Sequence, residues 1–273
     1  MNSVEATVGT IFIGREYLLE EWLTMFKSID MPRDRMKLLW VTTEAFRPIL
    51  EPKFNELKHT FMEAQLVTSP FKVFDRKIEA NSKDGFDKKR WSVAFNMNIL
   101  YENHKGNLFI VEDDTFVPSN SYSRLNSLLR SYPHGNEGIV GAVTGVAYSH
   151  HIKNSFCITA WNFIKKPLLP QEQARVISES VPDFDLYTYD IYRIQKPDHL
   201  VVEECHASGT FCMLILDECL DNYTAVGYSN LFTGQDVNLG WHITQIIGKK
   251  MLVDWSVECK HVTTDNNDNV LIK

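Results

Sequence analysis

"GNLFIVEDDTFVPS", residues 106–119, sets an apolar run, Leu108 to Val111, directly against three consecutive carboxylates, Glu112, Asp113 and Asp114. Mutual repulsion makes such a cluster unfavourable unless a cation shares it. A short continuous apolar run bounded by polar loop residues is what a strand covered on both faces of a parallel sheet requires. In open sheets of that kind ligands bind beyond the carboxyl ends of the strands, so the carboxylates are expected to project into the binding crevice. Hard oxygen ligands suit Mg²⁺ or Mn²⁺, with substrate phosphates completing the shell. An acidic turn at the strand end, with Asp114 capping a loop, is the plain alternative.

Upstream, "ATVGTIFIGREYLLEEWLTMF" (6–26) reads as a strand, a break at Gly14 and a helix carrying Leu18, Leu19, Trp22, Leu23 and Phe26. "MKLLWVTTEAF" (36–46) supplies a second apolar strand that ends in Thr42, Thr43 and Glu44. "KRWSVAFNMNILYENH" (89–104) puts Trp91, Ala94, Phe95, Asn98 and Ile99 on one helical face just before the opening stretch. Asn98, polar on an apolar face, must find partners there, either a bound ligand or a neighbouring loop. Downstream, "GIVGAVTGVAY" (138–148) is an apolar run whose three glycines allow close approach of backbone or ligand. This alternation predicts an α/β fold, an open, mostly parallel sheet with helices on both faces.

Residues 149 to about 203 are less regular, with Pro167, Pro170, Pro182 and Pro197, and read as an insertion beside the site within one domain spanning 1–273. Trp161, Tyr187, Tyr189 and Tyr192 either pack this insertion or stack on a ligand, and His150 and His151, which lack metal-ligand spacing, read as surface residues, with contact to an acceptor as the alternative. Regularity returns with "ASGTFCMLIL" (207–216) and with "GQDVNLGWHITQIIGKKMLVDW" (234–255), whose first half has helical spacing. The polar tail "TTDNNDNV" (263–270) reads as loose.

With 44% hydrophobic content over 273 residues, the chain is long enough for a substantial core. Neither a signal peptide nor a long apolar span is evident, so a cytoplasmic protein without a membrane partner is expected. Five cysteines, an odd number without a C-x-x-C pair, argue for reduced core residues rather than disulfides or a zinc knuckle. A net charge of −7 gives no global footprint for nucleic acid, although "KDGFDKKR" (83–90) is locally basic.

The order of "GREYLLEEW", "RWSVAFNMN", "LFIVEDDTFVP", "GTFCMLI", "GQDVNLGWHI" and a late "ECKHV" resembles the GT-A class of nucleotide-sugar glycosyltransferases, nearest to the family 2 type. The resemblance implies a GT-A, Rossmann-like sheet and an enzyme that moves a sugar from a nucleotide-sugar donor, UDP-linked by default, to an acceptor hydroxyl. It implies that the acidic triplet is the D-x-D element. Glu112 then stands near the ribose or metal-bound water and Asp114 binds Mn²⁺ or Mg²⁺. Asp113, counted with the donor-side residues, is expected to point away from them because side chains alternate along extended chain. His261 of "CKHV" matches a histidine that completes the metal site, a role that borderline Mn²⁺ permits. Asp236 matches the general base, with Gln235 where relatives carry Glu. An N-cap aspartate is the structural alternative for Asp236.

On the donor side the resemblance maps nucleoside contacts to Gly14, Arg15, Thr43 and Glu44, although strand 2 lacks the aspartates usual in the family. Arg90 and Asn98 are further donor candidates, and an exposed arginine at a helix end is the plain reading of the former. In-line attack assisted by Asp236 implies inversion at the anomeric carbon. The acceptor is a saccharide, a protein, a small molecule or, as a minority reading motivated by the basic 83–90 stretch, a hydroxymethylated pyrimidine in DNA. A non-catalytic nucleotide-sugar-binding module and a metal-dependent nucleotidyltransferase are the competing classes.

Overall fold

The computed structural model describes residues 3–12, 14–70, 83–131, 139–152, 155–158, 160–167, 187–194, 198, 202–227, 234–264 and 270–271. In chain order the elements are β1 (Ala6–Phe12), α1 (Leu19–Ser28), β2 (Met36–Thr43), α2 (Arg47–Leu57), β3 (Glu63–Ser69), α3 (Lys83–Asn103), β4 (Asn107–Val111), β5 (Thr115–Phe116) and α4 (Ser121–Ser131). They continue with β6 (Val140–Ile152), β7 (Ser155–Ile158), β8 (Ala160–Pro167), β9 (Tyr187–Arg193), β10 (Val202–Cys205), β11 (Ala207–Ser208), β12 (Cys212–Ile215), α5 (Gln235–Trp241) and β13 (Lys250–His261). A short pair, β14 (Thr263–Thr264) and β15 (Val270–Leu271), follows.

The main sheet runs β10-β13-β6-β12-β4-β1-β2-β3, with β5 added to β13 and β7 to β6. Strands β4, β1, β2 and β3 are mutually parallel, as are β6 and β13. Strand β12 enters antiparallel between β4 and β6. That reversal matters for the site, because it lays the residues preceding β12 beside the residues following β4.

All eight residues of β2 are buried, and period-two alternation divides them between two cores. Leu38 and Trp40 pack with Val8, Phe12, Trp22, Phe26 and Leu50 on the face covered by α1 and α2. Leu39 and Val41 pack with Ala94, Met97, Leu100, Leu239 and Ile243 on the face covered by α3 and α5. The expected sheet with helices on both faces is therefore present. Trp40 is held by edge contacts to Phe12 at 5.0 Å and Trp22 at 6.2 Å, and Trp22 stacks on Phe26 at 4.8 Å. Each such fully buried large side chain contributes roughly 1.5–3 kcal/mol.

Three expectations are settled by the packing. The buried stripe of α3 is Ala94, Met97, Leu100 and Tyr101, whereas Trp91 and Phe95 are 50% and 39% exposed. The spacing of the helix was legible, but two adjacent stripes share it and only the sheet decides which one turns inward. In β6, a Cβ on Gly145 would lie 2.8 Å from the Val257 carbonyl, and one on Gly141 would lie 2.8 Å from Cys219 Sγ and Ile243. The close approach at these two glycines is thus to neighbouring protein. Cys205, Cys212, Cys219 and Cys259 are free and buried, as expected of reduced core residues.

No helix among the described residues is long and apolar enough to cross a membrane. Most of the 149–203 insertion and most of the polar tail lie outside the described residues.

Candidate metal and donor site

Strand β4 delivers the acidic triplet and then stops. The N–H of Thr115 bonds back to the Glu112 carbonyl at 3.2 Å, so residues 112–115 form a tight turn rather than continuing the strand. The turn is fixed on three sides. Trp22 Nε1 of α1 donates to the Glu112 carbonyl at 2.9 Å, the Glu112 N–H reaches the Phe211 carbonyl at 3.1 Å, and the Val262 N–H reaches the Asp114 carbonyl at 2.8 Å. The last contact continues the antiparallel pairing of His261 with Thr115 between β13 and β5, which carries a residue nearly 150 positions away to the carboxylates.

Glu112, Asp114 and His261 converge so that one ligand atom from each lies within 4.8 Å of the others. His261 Nε2 stands 3.3 Å from Asp114 Oδ2. Two carboxylate oxygens and one imidazole form a donor set that fits Mn²⁺ and tolerates Mg²⁺ less well, since imidazole is a borderline ligand.

Asp113 departs from expectation. Because the segment turns, Asp113 does not point away from its neighbour: Arg15 Nη1 pairs with Asp113 Oδ1, while Arg15 Nη2 pairs with Asp114 Oδ2 at 2.5 Å. Arg15 is brought there by Gly14, whose φ of +100° turns the chain at the end of β1. Sequence reasoning put both Gly14 and Arg15 on the donor side, and the structure sets Arg15 in the acidic cluster itself.

The electrostatics follow from burial. Desolvation, reinforced by the Asp114 charge, raises Glu112 to about 7, while His261, the Thr210 hydroxyl and Arg15 pull it back. For His261, burial opposes protonation, but the hydrogen bond and charge of Asp114 together with Glu112 raise it above the usual imidazole value. Burial also works against the charge on Arg15, yet Asp113, Asp114 and Glu112 hold it firmly protonated.

Asp236 lies in the first turn of α5. The N-cap is Gly234, at φ +103°, and the Asp236 Oδ1 accepts the Val237 N–H at 2.9 Å. Asp236 is therefore not the cap residue that the structural alternative required. Burial raises its carboxyl, opposed by the Val237 and Asp236 N–H groups and by the Arg90 charge. The charge of Asp236 is in turn felt by the Tyr101 and Tyr223 phenols, both raised chiefly by burial.

Thr210 joins Gln235, the neighbour of Asp236, at this site. Gln235 Nε2 donates to Thr210 Oγ1 at 3.0 Å, and Thr210 Oγ1 donates to Glu112 Oε1 at 2.8 Å. No sequence signal marks Thr210, since only the antiparallel entry of β12 sets it against β4. Gln235 is 6% exposed, and its Oε1 has no hydrogen-bond partner among the described residues.

The remaining donor-side candidates spread out. Thr43 is buried at the end of β2, where its Oγ1 accepts the Phe46 N–H at 3.3 Å, and Glu44 is exposed in the following turn. Arg90 is near enough to lower Asp236. Asn98 resolves as a loop tie: its Nδ2 donates to the Ala225 carbonyl at 3.0 Å and its Oδ1 accepts the Ala225 N–H at 2.6 Å. The side chains of 83–89, His150, His151, Tyr187, Tyr189 and Tyr192 lie outside the described residues, while Trp161 packs against the small core of Phe163, Ala207 and Val237.

No protein-family model and no curated protein sequence matches the chain. Solved structures do. A mannosyltransferase, PcManGT from Pyrobaculum calidifontis, in complex with GDP-Man and Mn²⁺, superposes with a TM-score of 0.55 at 14% identity over 97% of this chain and 59% of that one. GalNAc-T7 with UDP, GalNAc and Mn²⁺ gives 0.54 at 13% identity over 95% of this chain and 44% of that one. TarS 1-349 of S. aureus gives 0.53 at 8% identity over 93% and 59%. The likeness shows the GT-A fold, and the chain spans about three-fifths or less of the length of these structures.

Proposed function

We propose that the protein is a metal-dependent glycosyltransferase that moves a sugar from a nucleotide-sugar donor to an acceptor hydroxyl with inversion. The observation that carries this reading is the convergence of Glu112, Asp114 and His261 at the strand ends of a GT-A fold. Support comes from the similar structures, two of which hold Mn²⁺ beside a nucleotide or nucleotide sugar. Their nucleotides differ, one GDP-linked and one UDP, so the base is left to experiment.

Glu112, Asp114 and His261 would hold the cation, and each is suited to it once deprotonated. When bound, the cation supplies Lewis-acid stabilisation of the negative charge that develops on the departing nucleoside diphosphate. Arg15 adds a fixed positive charge on the same side, and its planar fork matches phosphate oxygens. Gly14, Thr43 and Glu44, at the ends of β1 and β2, line the nucleoside side. Asp236 accepts the proton that the acceptor hydroxyl loses as it attacks the anomeric carbon. Burial strengthens it as a base, and the Val237 N–H together with Arg90 keeps it from being lost as a neutral acid. Direct displacement then inverts the configuration.

The test is a thermal-shift panel of UDP, GDP, CDP and TDP with and without Mn²⁺ on the wild type and on Asp114→Asn. A ligand at about a hundred times its dissociation constant adds about 2.7 kcal/mol to native stability. Stabilisation by one nucleotide that needs both Mn²⁺ and Asp114 supports the reading. Absence of any response removes the nucleotide-metal site.

A further inference from the structure

Arg15 occupies the oxygen that a metal ion would need. Its Nη2 is 2.5 Å from Asp114 Oδ2, the same atom that stands 3.3 Å from His261 Nε2. Its Nη1 is simultaneously on Asp113. The carboxylates are nearly sealed, with side-chain exposures of 4% and 5%, while the Arg15 side chain retains 15%. The Arg15 side chain thus keeps more contact with solvent than either of its two partners. A guanidinium does not lose its proton, so it cannot make way for a cation by becoming neutral. It can only move.

We propose that Arg15 is a resident counter-cation that competes with the divalent metal for Asp114 and changes partner when the donor arrives. In the donor-free protein it pairs with both Asp113 and Asp114, which offsets part of the charge of the three adjacent carboxylates at the end of β4. When a metal and a nucleoside diphosphate bind together, Asp114 is released to the metal and the guanidinium turns to the diphosphate. Carboxylate and phosphate offer the same bidentate geometry to an arginine, so the guanidinium keeps an anionic partner through the exchange while the metal replaces it on Asp114. Metal alone meets a competing charge, and a diphosphate alone finds its arginine engaged. Each ligand therefore strengthens the other, and by linkage the coupling is equal in both directions. The inference rests on the glycosyltransferase reading for the identity of the two ligands.

The experiment measures Mn²⁺ affinity by electron paramagnetic resonance of the free ion, on wild type, Arg15→Gln and Arg15→Lys, without nucleotide and with UDP or GDP. Expected are roughly tenfold tighter binding of Mn²⁺ alone by Arg15→Gln, from removal of one unit charge beside the ligands, and a smaller enhancement by nucleotide than in the wild type. Arg15→Lys keeps the charge and should stay within about threefold of wild type for Mn²⁺ alone, which preserves a readout if the glutamine variant does not fold. Unchanged or weaker Mn²⁺ binding in Arg15→Gln overturns the competition while leaving the metal site intact, as does tenfold tighter binding in Arg15→Lys. If no form binds Mn²⁺ under any condition, the metal site itself falls, and this inference with it.

Discussion

Gln235 reaches Glu112 through one hydroxyl. The amide nitrogen of Gln235 and the carboxylate of Glu112 share Thr210 Oγ1 at 3.0 and 2.8 Å, so the first turn of α5 is wired to the end of β4. Two stretches that are 123 positions apart, one bearing the proposed base and the other the proposed metal ligands, are thereby held in one frame.

Removing that hydroxyl should be felt at both ends. Thr210→Val leaves the buried Gln235 Nε2 and Glu112 Oε1 without their shared partner, at a cost of about 1–3 kcal/mol in urea unfolding. Because the Thr210 bond favours the ionised form of Glu112, its loss raises the Glu112 carboxyl further. The pH midpoint for Mn²⁺ binding should shift to higher pH, and a midpoint that moves lower would contradict the wiring.

The pH dependence of stability has a definite sign. Glu112 is raised from 4.5 to about 7 in the folded protein, so the native state binds its proton more tightly and this contribution is lost as pH rises between those values. His261 is raised above 6.5, and its contribution is fully present below that value and lost as pH rises through the higher folded one. Both act in the same direction. Metal-free protein should lose melting temperature from about pH 5 toward pH 8, whereas the stabilisation by Mn²⁺ should grow over that range because the metal needs the deprotonated ligands. Melting curves with and without Mn²⁺ test this, and Glu112→Gln should flatten the slope below about pH 7.

Substitution Asp236→Asn removes the proton acceptor while keeping the acceptor of the Val237 N–H bond. Transfer should fall by at least about a hundredfold, the usual contribution of general-base catalysis, with nucleotide-dependent thermal shifts unchanged. Turnover equal to wild type would take Asp236 out of the mechanism.

Gly234 is irreplaceable for a geometric reason. Its φ is +103°, and a Cβ would lie 2.7 Å from Asp236 Oδ1. Gly234→Ala should cost on the order of 1–3 kcal/mol in backbone strain and should lower kcat by displacing the carboxylate. Full stability with full activity would show that the turn can relax without consequence.

Asn98→Ala separates a loop tie from a donor contact. Both amide atoms of Asn98 are spent on the Ala225 backbone, so stability should drop by roughly 1–3 kcal/mol while the affinity for the stabilising nucleotide stays the same. A selective loss of nucleotide binding at unchanged stability would restore Asn98 to the donor site.

What the sequence by itself determined was the set of elements and the chemistry at their ends. Continuous apolar runs at β2 and β4 read as strands of a two-faced sheet, and a carboxylate triplet after such a run pointed to a shared cation or to an acidic turn. These are local consequences of period, burial and charge, readable from neighbours along the chain. The tertiary structure decided everything that depends on which distant segments become adjacent. It turned the triplet so that Asp113 and Asp114 both face Arg15, and it chose the Met97 stripe of α3 over the Trp91 stripe. It brought His261 to Asp114 through the β13–β5 pairing and Thr210 to Glu112 through the antiparallel β12. A strand's direction and register are set by the packing of the whole sheet, and a hydroxyl or an imidazole gains its role only from the partner that packing puts within about 3 Å of it.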